Sequence, residues 1–235
     1  MEIVEDWSAR RNDVIAAARA LAATWPARPF DNHNGITGPS AVALAYFLRR
    51  LAPTTVFEVG VWRGFSTWLI EQAVPQAKLF CLDPIFTVWP LLDPAKFGTT
   101  YKSPRADYHA DDFSCIGLQV TPDRRDRLVV LFDDHQNKVI RLDQARRAGV
   151  KHLLFDDDVP YAADHETFAQ MHLGNRLPPW FAQVVRRYER FPPLWQAVER
   201  NGRSHQALDL PDLPELAPFK AERDKWSWLS YIELA

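Results

Sequence analysis

The chain has 235 residues, 47% of them hydrophobic, and a formal charge of −2. This is enough apolar mass for a full core without staples, and it carries no positive excess to suggest a nucleic-acid or anionic-membrane partner. Two cysteines, no apolar run of membrane-spanning length and an acidic start without a secretory n-region suit a soluble protein of the reducing cytoplasm.

In chain order, residues 7–25 have the spacing of an amphipathic helix, with Val14, Ile15, Ala18, Leu21, Ala22 and Trp25 on one face and Pro26 ending it. A polar glycine loop over 31–38 follows. Pro39 opens a second helix to about Leu51, whose buried stripe is Ala41, Leu44, Ala45, Leu48 and Leu51. Both helices are expected to cap an edge or face of a sheet. Strand-like and helical segments then alternate, the signature of a parallel α/β sheet. Strands are expected at 56–59, 78–83, within 106–112, at 127–133 and at 151–156, and helices at 65–74 and 136–148. Residues 84–105 hold Pro84, Pro90, Pro94, Gly98 and Pro104 and read as an insertion or lid near a ligand. Helices over 179–190 and 194–200, a proline-marked loop and a last strand over 226–234 complete a single domain. Its parts are a helical cap (1–53), a core (54–160) and a C-terminal segment (161–235).

The chain is organised around Val56-Phe57-Glu58-Val59-Gly60-Val61-Trp62-Arg63-Gly64-Phe65-Ser66, a buried strand, a glycine turn and a helix start. Gly60 and Gly64 remove side chains where a ligand would approach the backbone, and exposed N–H groups at the helix start favour electron-rich ligand atoms. The spacing is not the G-x-G-x-x-G of pyrophosphate loops, because an acid, Glu58, holds the first position.

Four expected strands end in a carboxylate: Glu58, Asp83, Asp133 and Asp156. In an open parallel sheet these ends share one edge, where α/β proteins bind ligands. Asp83 can accept hydrogen bonds from a ribose diol or cap the turn at Pro84. After the third strand, Asp112 or its neighbour Asp111 can bind an adenine amino group, with Phe113 stacking on the base. Ser66 can cap the helix or touch a cofactor carboxylate. Clustered acids repel unless a cation sits between them, and Asp133, Asp156 and Asp157 could ligate Mg²⁺ or another divalent cation. The same acids could instead cap helices, Asp134 being a candidate N-cap. His135, directly after the fourth strand, could serve as a general base. His152 and His109 fall in strands and read as core or edge histidines. His165 and His172 could face an acceptor pocket, and Trp89, Phe97, Tyr101 and Trp180 hint at a planar or apolar acceptor.

The order Glu58-x-Gly60-x-x-x-Gly64-x-Ser66, then Asp83, Asp111-Asp112, Phe132-Asp133-Asp134-His135 and Phe155-Asp156-Asp157 resembles the class I S-adenosylmethionine (SAM) methyltransferases. More narrowly, it is similar to the metal-dependent small-molecule O-methyltransferases, including the sugar O-methyltransferase and cephalosporin-hydroxylase-like group. The match covers roughly residues 54–160. The resemblance implies a Rossmann-like, doubly wound, mostly parallel sheet with helices on both faces and an antiparallel C-terminal strand. It implies SAM held by Glu58, Gly60, Gly64 and Asp83, a divalent ion held by Asp133, Asp156 and Asp157, and a small-molecule hydroxyl as methyl acceptor. Many relatives carry Asp-Gly-Asp-His after the fourth strand. This chain has one residue fewer, which leaves Asp133 and Asp134 both open as the metal ligand. The lysine base of the catechol-type enzymes has no counterpart at Gln136 or Asn137, so His135 takes that role. A metal-dependent phosphoester hydrolase and a non-catalytic SAM- or nucleotide-binding module are the rival readings. Acceptor identity stays open, as does a homo-oligomer.

Overall fold

The computed structural model describes residues 1–31, 35–88, 98–159, 166–200, 203–220 and 229–235. Among these, eight strands form one sheet in the order β1-β7-β10-β6-β5-β2-β3-β4. The strands are β1 (Glu2–Val4), β2 (Thr55–Val59), β3 (Lys78–Leu82), β4 (Ala106–His109), β5 (Leu128–Phe132), β6 (His152–Phe155), β7 (Val185–Arg190) and β10 (Ser230–Leu234). All neighbouring pairs are parallel except those of β10, which runs antiparallel to both β6 and β7. β8 (Val198–Arg200) and β9 (Arg203–His205) form a separate hairpin.

The central strands β2, β5 and β6 are mostly apolar because both faces are covered, with Glu58 and His152 the buried polar exceptions. All five residues of β5 are buried, as are all four of β6. On one face lie α1 (Arg11–Thr24), α2 (Gly38–Leu51) and α3 (Phe65–Ala73), with the short α7 (Ala217–Lys220) against α2. On the other lie α4 (Lys138–Arg147), α5 (Phe168–Leu173) and α6 (Phe181–Val184). This is the doubly wound, Rossmann-like arrangement. α2 is buried on every side from Gly38 to Leu48, not only along the expected stripe, because α1, α3 and α7 pack around it. Thr37 caps α2 by accepting from the Ser40 N–H, and Asn137 caps α4 by accepting from Val139 and Ile140. The Asn137 cap displaces Asp134 from the N-cap role expected of it.

Two expectations fail, and one strand was not foreseen. Residues 179–190 are not one helix: after the single turn of α6, Val185–Arg190 extends as β7. Val185 and Tyr188, which fit an inward helical stripe, are buried in the sheet instead: Tyr188 pairs with Ile3 of β1 and Ile232 of β10, Val185 with Leu234 of β10, and sheet pairing outweighs local helical spacing. Residues 198–200 form a strand rather than a helix. β1, ahead of the first helix, is an edge strand absent from the sequence reading, while α1 and α2 cover a face of the sheet, one of the two placements expected of them. Residues 226–228 of the expected last strand, and most of the 84–105 insertion's middle (89–97), lie outside the described residues. No described helix is long and apolar enough to cross a membrane.

Candidate functional site

Register aligns the strand ends in one row. Leu82 pairs with Val59, Val59 with Phe132, Phe132 with Phe155, and Phe155 with Ser230. The next residues, Asp83, Gly60, Asp133 and Asp156, therefore emerge side by side. A cavity of about 610 Å³ opens above them. Seven aspartates line it (Asp83, Asp111, Asp112, Asp133, Asp134, Asp156 and Asp157), facing Arg141, His135, Gly60 and Trp62 among the described residues. The row of acids expected from the sequence is thus gathered at one cavity, with Glu58 set below it.

The glycine turn is shaped by the protein's own main chain. Gly60 has φ +85°, and a Cβ there would lie 2.4 Å from the Asp133 carbonyl oxygen. Gly64 also has φ +85°, and its Cβ would lie 2.1 Å from the Tyr101 carbonyl oxygen. The start of α3 is correspondingly covered: Phe65, Ser66 and Thr67 are buried. The exposed N–H groups expected there are not exposed, and Gly64 and Ser66 fall outside the lining of the cavity.

Glu58 is fully buried. Its Oε2 accepts from the Thr67 hydroxyl at 2.7 Å and from the Cys81 thiol at 3.4 Å. Ser66 also favours its charge, yet Oε1 makes no well-formed hydrogen bond among the described residues. Burial outweighs these partners and pushes the Glu58 carboxyl up to about 7. Asp83 accepts from Val61 N–H at 2.8 Å and Trp62 N–H at 3.1 Å with Oδ2, and from Ile85 N–H at 2.9 Å with Oδ1. Of the roughly four lone-pair positions of a carboxylate, about one is left to a ligand. The turn-capping role is therefore filled, while Asp83 still faces the cavity.

Arg141, which the sequence reading passed over, divides the acids. Its side chain is 5% exposed. Nε donates to Asp134 Oδ2 at 2.8 Å, Nη1 donates to Asp112 Oδ1 at 3.0 Å, and Nη2 reaches both carboxylates. This bidentate hold, with the Ser114 N–H and hydroxyl, keeps Asp112 well below the usual carboxylate range. Asp112 and Asp134 thereby share one countercharge, and Asp134 is turned toward Arg141.

Among the acids that Arg141 does not reach, Asp133, Asp156 and Asp157 crowd one another. Burial, then the Asp156 charge, pushes Asp133 well above its ordinary value, and burial, then Asp157, pushes Asp156 up to about 7. The buried Lys138 opposes both shifts, with Nζ donating to the Asp156 carbonyl oxygen. Asp133, His135 and Asp157 can each present one ligand atom, all within 4.8 Å of one another. Oxygen donors with one imidazole nitrogen suit a hard or borderline divalent cation. This trio contains His135 where the expected set had Asp156. His135 Nδ1 lies 3.2 Å from Asp157 Oδ2.

Trp62, His135 and Asp157, all lining the cavity, have φ of +50°, +54° and +51°. Non-glycine residues rarely adopt this conformation, and such outliers cluster at functional sites. Of the residues with a suggested acceptor role, Tyr101 donates to Glu71 at 2.6 Å and Trp180 lies on a groove beside α4, both away from the cavity. His172 lines a different cavity, and Trp89, Phe97 and His165 lie outside the described residues. His152 is a core histidine bonded to the Tyr231 hydroxyl at 2.8 Å, and His109 is at the sheet edge. Lys138 and Arg141 had a signal in the sequence: two cations three residues apart at the start of the helix that follows an acid cluster share one helix face.

No protein-family model and no curated protein sequence matches the chain. Among solved structures, the O-methyltransferase TomG from Streptomyces achromogenes, involved in tomaymycin synthesis and in complex with SAM, is similar at TM-score 0.50 and 13% identity, over 95% of this chain and 90% of that one. A SAM-dependent O-methyltransferase from Thermotoga maritima is similar at TM-score 0.50 and 13% identity, over 91% of this chain and 70% of that one. The chain thus has the Rossmann-like fold of the SAM-dependent O-methyltransferases.

Proposed function

We propose that this chain is an enzyme that transfers the methyl group of SAM to a hydroxyl of a small molecule, assisted by a divalent cation. The observation that carries this reading is the division of one acidic rim. One half, Gly60 and Asp83 with the Arg141-held Asp112, would take a nucleoside, and the other, Asp133 and Asp157, a cation, with His135 beside Asp157. The fold shared with the O-methyltransferases supports it.

SAM, when bound, supplies a methyl group made electrophilic by its sulfonium charge. A divalent cation, when bound, supplies positive charge that lowers the pKa of an acceptor hydroxyl. Asp133 and Asp157 would hold it, with Asp156 behind them. Asp157 orients His135 through Nδ1, and a proton on Nδ1 leaves the Nε2 lone pair to take the acceptor's proton. Gly60 and Asp83 would hold the nucleoside, and the rigid strand ends fix the two halves relative to each other, so alignment of the reactants supplies much of the rate.

Isothermal titration with SAM, with and without Mg²⁺, tests the reading in the wild type and in Asp157→Asn. SAM binding by both proteins, with Mg²⁺ binding lost in Asp157→Asn, supports it. A chain that binds Mg²⁺ but not SAM overturns it in favour of a phosphoester hydrolase. SAM binding without any bound cation overturns the metal-assisted step.

A further inference from the structure

A second cavity, of about 330 Å³, shares no lining residue with the aspartate cavity. It lies on the same rim of the sheet. Arg190 and Phe155 both pair with Ser230 from opposite sides of β10, so β7 ends level with β6. Two inter-strand steps of about 4.8 Å put their backbones roughly 10 Å apart. Ligands of open α/β sheets bind beyond the carboxyl ends of strands, and β1 and β7 both end here.

Its chemistry is the reverse of the first cavity. Arg190, His172, His205, Ser204 and Gln206 line it, and its one acid among the described residues, Glu5, pairs with His172 at 3.2 Å. Ile3, Pro192, Pro193 and Trp7 give it an apolar wall. Trp7 is 4% exposed, and its indole Nε1 has no hydrogen-bond partner among the described residues. Edge-on packing with Tyr46, Phe47 and Phe191 accounts for the burial of the ring but not for the unmet N–H. An indole N–H is a donor only, and leaving one buried and unmet is unfavourable, so a ligand oxygen that accepts from it gains. His205, also more than nine-tenths buried, comes from the β8–β9 hairpin, which gives that hairpin a part in the site.

We propose that this cavity binds a small ligand bearing an oxyanion, a carboxylate or a phosphate, on an apolar body. Trp7 Nε1–H and His205 hydrogen-bond the oxyanion, Arg190 supplies the countercharge, and the proline wall packs against the body.

The indole N–H signals of the ¹⁵N-labelled full chain test it, with Trp7→Phe identifying the Trp7 signal. The probes are benzoate, inorganic phosphate and, as the neutral isostere of benzoate, benzamide. The expected result is a saturable shift of the Trp7 signal with benzoate, phosphate or both, none with benzamide, and affinity about tenfold weaker in His205→Gln. The tighter of the two anions tells a carboxylate ligand from a phosphate one. No saturable shift with either anion, an equal shift with benzamide, or unchanged affinity in His205→Gln overturns the proposal. His205→Gln keeps it testable should Trp7→Phe fail to fold, because the Trp7 signal is then the one that moves in the wild type and moves less in His205→Gln. SAM binding is read separately, so this site and the methyl-transfer reading stand or fall independently.

Discussion

Gly60 and Asp133 are interlocked: a Cβ on Gly60 would sit 2.4 Å from the Asp133 carbonyl oxygen and 2.8 Å from Asp134 Cα. The turn after β2 and the acidic loop after β5 thus have their relative position set by the absence of one methyl group. Gly60→Ala meets both this clash, against main chain that cannot rotate away, and a φ of +85°. It should cost about 2–4 kcal/mol, read as a lowered urea midpoint, and a soluble fraction should lose SAM and Mg²⁺ binding together.

Arg141→Met should uncouple Asp112 and Asp134. It removes the only cation among the described residues that bonds to both, and leaves Asp134 mostly buried without its partner. Stability should fall by about 1–2 kcal/mol, moderated by the exposure of Asp112. The Asp112 carboxyl should rise toward its ordinary value, measurable by ¹³C NMR titration of the side chain. SAM affinity should drop more than Mg²⁺ affinity.

Glu58→Gln should stabilise the fold at neutral pH. The folded carboxyl is pushed up to about 7 by burial, above its unfolded value of 4.5. Between these values the unfolded chain has released the proton and the folded chain has not, so rising pH favours unfolding across roughly pH 4.5–7. Gln carries no such penalty. The difference between variant and wild type should grow through that window to about 3 kcal/mol at pH 8, at about 1.4 kcal/mol per pKa unit, and vanish at pH 4, as read by chemical denaturation at a series of pH values.

Removing the His135 imidazole separates the roles given to the trio. In His135→Gln, kcat for methyl transfer should fall about 10²–10⁴-fold, the contribution typical of a general base. SAM affinity should hold, and activity should recover as pH rises. Chelation with EDTA should abolish activity in the wild type while leaving SAM bound.

Within the sequence alone, the parallel core was legible because its signals are local. Val56–Val59 and Arg127–Asp133 are short apolar runs of strand type, and Pro39, Gly149 and Pro75 punctuate their helices through their own backbone restrictions. The rim was legible for the same reason: parallel strands that each end in an acid deliver those acids to one edge whatever the loops do. Where a partner decides, the local pattern misled. Val185 and Tyr188 satisfy a helical stripe, yet Val185 pairs with β10 and Tyr188 with β1 on one side and β10 on the other, strands that both lie far away in sequence.

What only the tertiary structure decided is which acid does what. Asp112 and Asp134 read like their neighbours, but Arg141, from a helix that begins three residues after His135, reaches both and gives them a shared countercharge. Asp156 is sunk below Asp157 and shifted by burial, while His135 swings beside Asp157 in a left-handed conformation that no residue type announces. Strand order and terminal carboxylates are written along the chain. Charge compensation is a sum over neighbours, and neighbours exist only once the chain has folded.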